Sequence, residues 1–187
     1  IQKKGLNYHR SHNISLVFQN YNLIDYLTVT ENVKLGGRKN AEELLSEVGI
    51  PKEAWKRNVC QLSGGQQQRV AIARALCSEA KVLLADEPTG NLDEETAEGI
   101  IGLLKKTAHE LGKCVIVVTH SKQLAEGADV VLEISQGTLS EREIPIEDTI
   151  DTRLRKSFHT VAATIDVPDS EKLKKRIDEE IKQRHIQ

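Results

Sequence analysis

The sequence predicts an α/β domain with a parallel central sheet, a small helical subdomain and a charged tail. Two short aliphatic runs, Val82–Ala85 and Val115–Val118, lead directly into polar residues, as strands of a buried parallel sheet do. Between them, residues 93–112 show the apolar periodicity of an amphipathic helix. Strand, helix and strand in this order predict a βαβ crossover, in which we expect both strands to be buried on both faces.

The elements before the first run are marked by capping signals. Residues 14–18 predict a short strand. Thr28 and Glu31 have the spacing of a capping box at a helix start, and Asn40 can begin a second helix. We therefore expect a helical subdomain over about residues 20–75, inserted between the first strand and the second.

The helix between the two aliphatic runs has recognisable ends. Asp93 can cap its start, and Gly112 can end it. Its inner face is predicted to consist of six apolar residues: Ala97, Ile100, Ile101, Leu104, Ala108 and Leu111. Residues 130–134 predict a further strand, with a turn at Gln136 and Gly137.

The character of the chain changes near residue 140. We expect one domain over residues 1–140 and a polar tail over residues 141–187. Charged residues spaced four apart predict a helix over residues 169–187, with a narrow apolar stripe of Leu173, Ile177 and Ile181. A solvated helix and a linker toward a membrane segment both fit this tail.

Composition narrows the class of protein. The net charge is -2 and aromatic residues make up 3% of the chain, so we expect no nucleic-acid partner. The three cysteines show no Cys-x-x-Cys spacing, which argues against a zinc site and for free thiols. The chain contains no run of 18 apolar residues, so we expect no transmembrane helix within it.

The chain also contains no methionine. We therefore expect a fragment whose N-terminus lies upstream.

The strongest chemical signal is Leu-Ser-Gly-Gly-Gln at residues 62–66, at the start of a predicted helix. The amides of a helix start lack partners within the helix, and the helix dipole favours an anion there. Glycine allows a phosphate to approach the backbone, and Ser63 adds a hydroxyl donor. An ordinary serine-capped helix with a glycine-rich entrance also fits this pentapeptide.

The second signal is a pair of carboxylates, Asp86 and Glu87, at the end of the first aliphatic run. Open α/β sheets bind ligands at the carboxyl ends of their strands. Because side chains alternate along a strand, we expect the two carboxylates to diverge and to take different tasks. One can hold Mg²⁺, and the other can orient or deprotonate an attacking water. A solvated acidic strand end is the alternative.

Two further polar residues follow predicted strands. His120 comes directly after the second aliphatic run, so we expect it at the same sheet edge as Asp86 and Glu87. There an imidazole can hydrogen-bond a γ-phosphate. Gln19 follows the first strand, and its amide can reach both a metal and a water. The other histidines, including His109, have no such neighbours, and we expect surface or packing roles for them.

Together and in this order, these features resemble the ABC ATPase family from about Ile14 to Gly137. The residues that match the family's motifs are Gln19 for the Q-loop, residues 62–66 for the signature motif, Val82–Asp86 for the Walker B strand, Glu87 for the catalytic glutamate, residues 90–93 for the D-loop and His120 for the switch histidine. The wording of residues 18–24 and 87–93 is most similar to the branch for lipoprotein release and for macrolide or antimicrobial-peptide export.

The resemblance implies a P-loop NTPase core that hydrolyses ATP with Mg²⁺. It implies catalytic roles for Glu87, His120 and Gln19 and metal ligation by Asp86 and Gln19. It implies nucleotide contacts from Ser63, Gly64, Gly65, Gln66 and Asp93. It also implies a head-to-tail dimer, a separate integral membrane permease, and a cytoplasmic place at the inner face of the cell membrane.

One motif of that family does not occur in the sequence. A P-loop requires Gly-x-x-x-x-Gly-Lys-Ser/Thr, and the single Gly-Lys pair, Gly112-Lys113, is followed by Cys114 and precedes a strand. The family places its P-loop upstream of Gln19. We therefore expect residues 1–187 alone to bind Mg-ATP poorly and not to turn it over. A soluble non-transport ATPase and a degenerate docking module stay as alternatives.

Overall fold

The structure is a computed structural model that describes residues 12–135, 138–142 and 160–165. Its strands are β1 (Ile14–Val17), β2 (Val82–Asp86), β3 (Cys114–Thr119), β4 (Val130–Ser135), β5 (Thr138–Arg142) and β6 (Thr160–Ile165). Its α-helices are α1 (Val29–Lys34), α2 (Ala41–Glu47), α3 (Gly64–Cys77), α4 (Glu94–His109) and α5 (Lys122–Glu126). Two 3-10 turns, Lys52–Ala54 and Val59–Gln61, lie between α2 and α3.

The described strands form one six-stranded sheet in the order β1-β2-β3-β6-β4-β5. All neighbours are parallel except β4 and β5, which form an antiparallel hairpin. The α/β class and the crossover from β2 through α4 to β3 are thereby confirmed. Strand β6 comes from the part of the chain for which we predict a polar tail, and it lies between β3 and β4. The predicted turn at Gln136 and Gly137 and the helix over 169–187 lie outside the described residues.

One face of the sheet is packed into the core. Val17, Leu83 and Val117 point to this face and contact a cluster that includes Ile72 and Ile100 of α3 and α4. The alternate residues of β2 and β3 are half-buried, and Leu16 of β1 is 41% exposed. The expectation that these strands are buried on both faces is therefore wrong in the described part of the chain, where burial alternates along each strand.

The helix ends follow their capping signals closely. Thr28 and Glu31 form a reciprocal capping box, and the Asn40 side chain accepts from two amides at the start of α2. Asp93 caps α4, whose buried face contains five of the six predicted residues and, in addition, Leu103 and Thr107. Helix α4 ends at His109, and Leu111 is 45% exposed because it lies in the turn that leads to Gly112. None of the described helices is long and apolar enough to cross a membrane.

Candidate functional site

The predicted polar site residues lie at one edge of the sheet, because the strands that precede them are parallel neighbours. Val17 of β1 pairs with Ala85 of β2, and Asp86 pairs with Val118 of β3. Three neighbouring strands therefore end at about the same level, and the polar residues that follow them share this edge. Asp86 is exposed at the end of β2, and Glu87 and His120 lie within reach of each other.

Glu87 is held by the strand beside it. Its Oε2 accepts a hydrogen bond from Thr119 Oγ1 at 3.1 Å, and its Oε1 accepts one from the His120 backbone amide at 2.9 Å. Strand β2 ends at Asp86, and Glu87 has a left-handed φ of 43°. The sequence prediction relied on alternation along a continuing strand, whereas the strand ends at Asp86 and the backbone turns at Glu87.

Thr119 is a site residue that sequence reasoning missed. It is fully buried as the last residue of β3, and its hydroxyl also accepts from the Ser121 amide at 3.0 Å. The signal for it was its position directly before His120. Its hydroxyl is constrained on both sides, so it fixes the direction of the Glu87 carboxylate.

The His120 ring lies beside Glu87 but is largely in solvent. Its Nε2 is 3.6 Å from Glu87 Oε1, which is too long for a hydrogen bond, and the side chain is 68% exposed. The backbone amide of His120 already holds Glu87, so the ring remains available for another acceptor. A phosphate oxygen at this edge would suit it.

Gln19 lies against the loop that follows Glu87. Its Nε2 is 3.1 Å from the position that a Cβ on Gly90 would occupy, and Glu87 Cβ is 3.6 Å from that same position. The side chain of Asn91 donates to the Gln19 carbonyl at 3.5 Å. The glycine at residue 90 thus leaves room for the Gln19 side chain beside this loop.

The residues predicted to hold Mg²⁺ have suitable chemistry. Asp86 supplies an exposed carboxylate and Gln19 an exposed amide oxygen on adjacent strand ends. Mg²⁺ prefers oxygen ligands and uses few from the protein, because it keeps waters and substrate phosphate oxygens. Among the described residues there is no cluster of three or more His, Cys, Asp or Glu side chains suited to a metal. The pair therefore fits a shared Mg²⁺–phosphate site better than a closed metal site.

The start of α3 has the form of an anion site. Ser63 Oγ accepts from the Gln66 amide at 3.3 Å, and Gln66 Oε1 accepts from the Ser63 amide at 3.1 Å. This capping box uses two of the amides at the helix start, so those of Gly64 and Gly65 have no partner within the helix. Ser63 is exposed, and its hydroxyl proton is free to donate outward.

Two residues from other parts of the site, Thr96 and Tyr21, lie against the start of α3. Gly65 packs directly against Thr96 of α4, so a side chain at residue 65 would collide with it. The Tyr21 hydroxyl is 3.0 Å from the position that a Cβ on Gly64 would occupy. Sequence reasoning missed Tyr21, which has no motif of its own and reaches Gly64 only through the folded turn after Gln19.

Asp93 caps α4 from within the loop after Glu87. Its carboxylate accepts from the Thr96 amide at 3.0 Å and from the Thr96 hydroxyl at 2.7 Å. These hydrogen bonds hold the pKa of Asp93 below its usual value, with the backbone bond as the larger cause. A nucleotide contact by Asp93 stays a prediction.

Two other sequence expectations can be compared with the structure. His109 pairs with a carboxylate at the surface: its side chain is 49% exposed, and its Nε2 lies 3.0 Å from Asp129 Oδ2. Lys113 is buried, donates to the Ala80 carbonyl and precedes β3. Burial lowers the pKa of Lys113. This arrangement does not resemble a phosphate-binding lysine.

Comparison with known proteins adds independent evidence. The family model described as ABC transporter matches residues 2–90. YclH, an ABC transporter ATP-binding protein of Bacillus subtilis, is 42% identical over 153 residues, which cover 76% of this chain and 68% of YclH. The macrolide export ATP-binding/permease protein MacB of Brucella melitensis is 39% identical over 166 residues, which cover 83% of this chain and 24% of MacB.

A solved structure agrees in fold. The dimeric post-hydrolysis state of the ATP-binding cassette MJ0796, bound to ADP and Pi, aligns with a TM-score of 0.67 and 38% identity. The alignment covers 78% of this chain and 69% of that one. Identity at this level over more than two thirds of a relative establishes common descent, and the predicted P-loop NTPase fold is confirmed. The chain therefore belongs to the ABC transporter family of ATP-binding proteins.

Proposed function

We propose that the chain forms part of the ATP-hydrolysing subunit of an ABC transporter, which drives transport through separate membrane subunits. The observation that carries this proposal is the carboxylate of Glu87, held at the sheet edge by Thr119 and by the backbone of His120. A fixed carboxylate beside a solvent-exposed imidazole suits a site where water attacks a phosphoryl group. The resemblance to a cassette bound to ADP and Pi supports it.

In this proposal, Glu87 orients the attacking water and takes up its proton. Each carboxylate oxygen accepts one hydrogen bond from β3 or the residue after it, and each keeps a lone pair for the water. The His120 ring donates to the γ-phosphate, and Gln19 places its amide beside the same centre. Asp86 and Gln19 would hold Mg²⁺, which would supply neutralising charge for the phosphates.

The geometry supports a second role, phosphate binding, for the start of α3. The amides of Gly64 and Gly65, with the Ser63 hydroxyl, bind the γ-phosphate of an ATP held by a second subunit. The resemblance to a dimeric cassette supports a head-to-tail pair of this kind. Each chain would then contribute to two nucleotide sites, one through Glu87 and one through Ser63.

Exposed apolar side chains in the helical region between β1 and α3 favour a membrane partner. Tyr26 is 82% exposed and Leu35 is 56% exposed, both in the helical region between β1 and α3. Exposed large apolar residues of this kind often mark protein interfaces. The similarity to MacB, an ATP-binding/permease protein, supports contact with a permease, which would place the subunit at the inner face of the membrane.

The test is ATP hydrolysis by the complete gene product and its Glu87→Gln variant. Glutamine keeps the shape of the side chain but cannot take a proton, so we expect kcat to fall about 100-fold or more while ATP still binds. Phosphate release measures the first quantity, and calorimetry measures the second. A complete wild-type protein that neither binds nor hydrolyses ATP would indicate a docking module instead.

A further inference from the structure

The described part of the chain has three non-glycine residues with left-handed backbone, and all three adjoin the site. Tyr21 and Asn22 have φ values of 60° and 46° and follow Gln19, and Glu87 has a φ of 43°. Residues other than glycine avoid this region because the Cβ crowds the backbone. Such conformations persist only where surrounding contacts hold them, and they are concentrated at functional sites.

Helix α3 holds the turn after Gln19 through Arg74. Arg74 Nη2 donates to the Tyr21 carbonyl at 2.8 Å, and Nη1 donates to the Asn22 carbonyl at 2.5 Å. Both left-handed residues are thus gripped by one planar guanidinium, whose donors are fixed relative to each other. Partial burial lowers the pKa of Arg74. The bond to Tyr21 is partly buried, and the bond to Asn22 is exposed.

The same helix holds the turn after Glu87 through Gln68. Gln68 is fully buried, and its Nε2 donates to the carbonyl of Pro88 at 2.8 Å. Its Oε1 is buried without a partner among the described residues. A buried amide with one unmet oxygen has a cost in stability, which its single bond to Pro88 does not remove. That cost points to a role beyond packing.

We infer that Gln68 and Arg74 are positioning residues that couple the start of α3 to Glu87 and Gln19. This inference rests on the proposed function. Ser63 caps the same 14-residue helix from which both side chains project. A helix of this length moves as a unit, so a shift of its start on binding a phosphate moves both turns.

The test compares three variants in the complete gene product. Gln68→Met and Arg74→Met remove the clamps while keeping side-chain length. Arg69→Met is the matched control, because Arg69 lies on the same helix and donates to a backbone carbonyl, that of Val48 at 3.0 Å, away from the site. Arg74→Lys keeps one donor and serves as the conservative variant.

We expect kcat for ATP hydrolysis to fall between about 10-fold and 100-fold in Gln68→Met and Arg74→Met, since small misplacements of reacting groups cost this much. KM for ATP should stay close to wild type. Arg74→Lys should recover part of the loss, and Arg69→Met should leave kcat within twofold. Equal losses in Arg69→Met, or a rise in KM without a fall in kcat, would overturn the inference.

Amide hydrogen exchange tests the clamps independently of activity. The amides of Gly90 and Leu92 donate within the turn after Glu87. We expect them to exchange at least about 10-fold faster in Gln68→Met than in wild type or Arg69→Met. If the wild type proves inactive, the proposed function fails, and these rates still decide whether Gln68 holds the turn. Unchanged exchange in Gln68→Met would rule the clamp out.

Discussion

At the scale of single residues, the site depends on how Glu87 is oriented. The backbone turns at this residue, and β3 supplies one buried hydroxyl and one amide to its two carboxylate oxygens. Hydrogen bonds to a charged acceptor are stronger than those between neutral groups. The carboxylate therefore has a fixed direction before any substrate binds, which is what a water-orienting group requires.

Replacing Thr119 should separate orientation from packing. Thr119→Val keeps the shape of this buried side chain and removes the hydroxyl that donates to Glu87 and accepts from the Ser121 amide. We expect kcat of the complete gene product to fall about 10-fold or more, because Glu87 loses one of its two constraints. Thr119→Ser restores the donor and should recover most of the rate. Equal rates in the valine and serine variants would contradict a role for the hydroxyl.

Asp93 predicts a dependence of stability on pH. The folded-state pKa of this carboxylate is lowered by its bonds to Thr96, so its ionised form stabilises the fold. That contribution is fully present above the unfolded-state pKa of about 3.9 and is lost as the pH falls through the lower folded-state value. Asp93→Asn keeps a helix cap without titrating. The stability advantage of wild type over this variant should shrink between pH 6 and pH 2, as urea titrations can measure.

At the scale of elements, α3 carries more of the residues discussed above than any other described helix. Its start is the proposed phosphate site, its middle carries Gln68, and Gly36 lies directly against its backbone at Arg74. The capping signals at Thr28 and Ser63 were readable because each depends on hydrogen bonds within three residues. The end of α4 was misjudged because Leu111 fits the apolar periodicity but lies beyond the last helical turn.

Two glycine substitutions should have opposite effects on stability. A Cβ at Gly36 would collide with the Arg74 carbonyl, so Gly36→Ala should destabilise the fold by about 1–3 kcal/mol. Nothing lies within 4 Å of a Cβ at Gly102, which is exposed within α4. Gly102→Ala should therefore stabilise it by about 0.5–1 kcal/mol. Urea unfolding measures both, and two changes of the same sign would contradict the described packing.

At the scale of the whole molecule, the order of the strands decides what meets at the site. Strands β1, β2 and β3 lie side by side, and their ends place Gln19, Glu87 and His120 at one edge. The chain spans 68% of YclH and 69% of the MJ0796 cassette, so each of these proteins is longer than the part that this chain matches. The predicted boundary near residue 140 stays a prediction, and β6 from the segment beyond it pairs with β3 and β4.

Nucleotide binding by residues 1–187 alone tests the role of the P-loop. The sequence contains no Gly-x-x-x-x-Gly-Lys-Ser/Thr, so the backbone cradle for the β- and γ-phosphates is lacking in these residues. We expect calorimetry to show ATP affinity no tighter than millimolar and phosphate release at background. A version of the protein that includes such a motif should show both binding and turnover. Tight, stoichiometric binding by residues 1–187 would show that the P-loop is dispensable here.

The sequence by itself determined the class of fold, the helix starts and most of the candidate site. Those features depend on capping hydrogen bonds, apolar periodicity and strand ends, which involve neighbouring residues or follow from parallel pairing. Only the tertiary structure placed Thr119 on Glu87, Arg74 on the turn after Gln19, and Gln68 on Pro88. These contacts join residues 20 to 53 positions apart, and which long-range partners meet is decided by packing rather than by any local pattern.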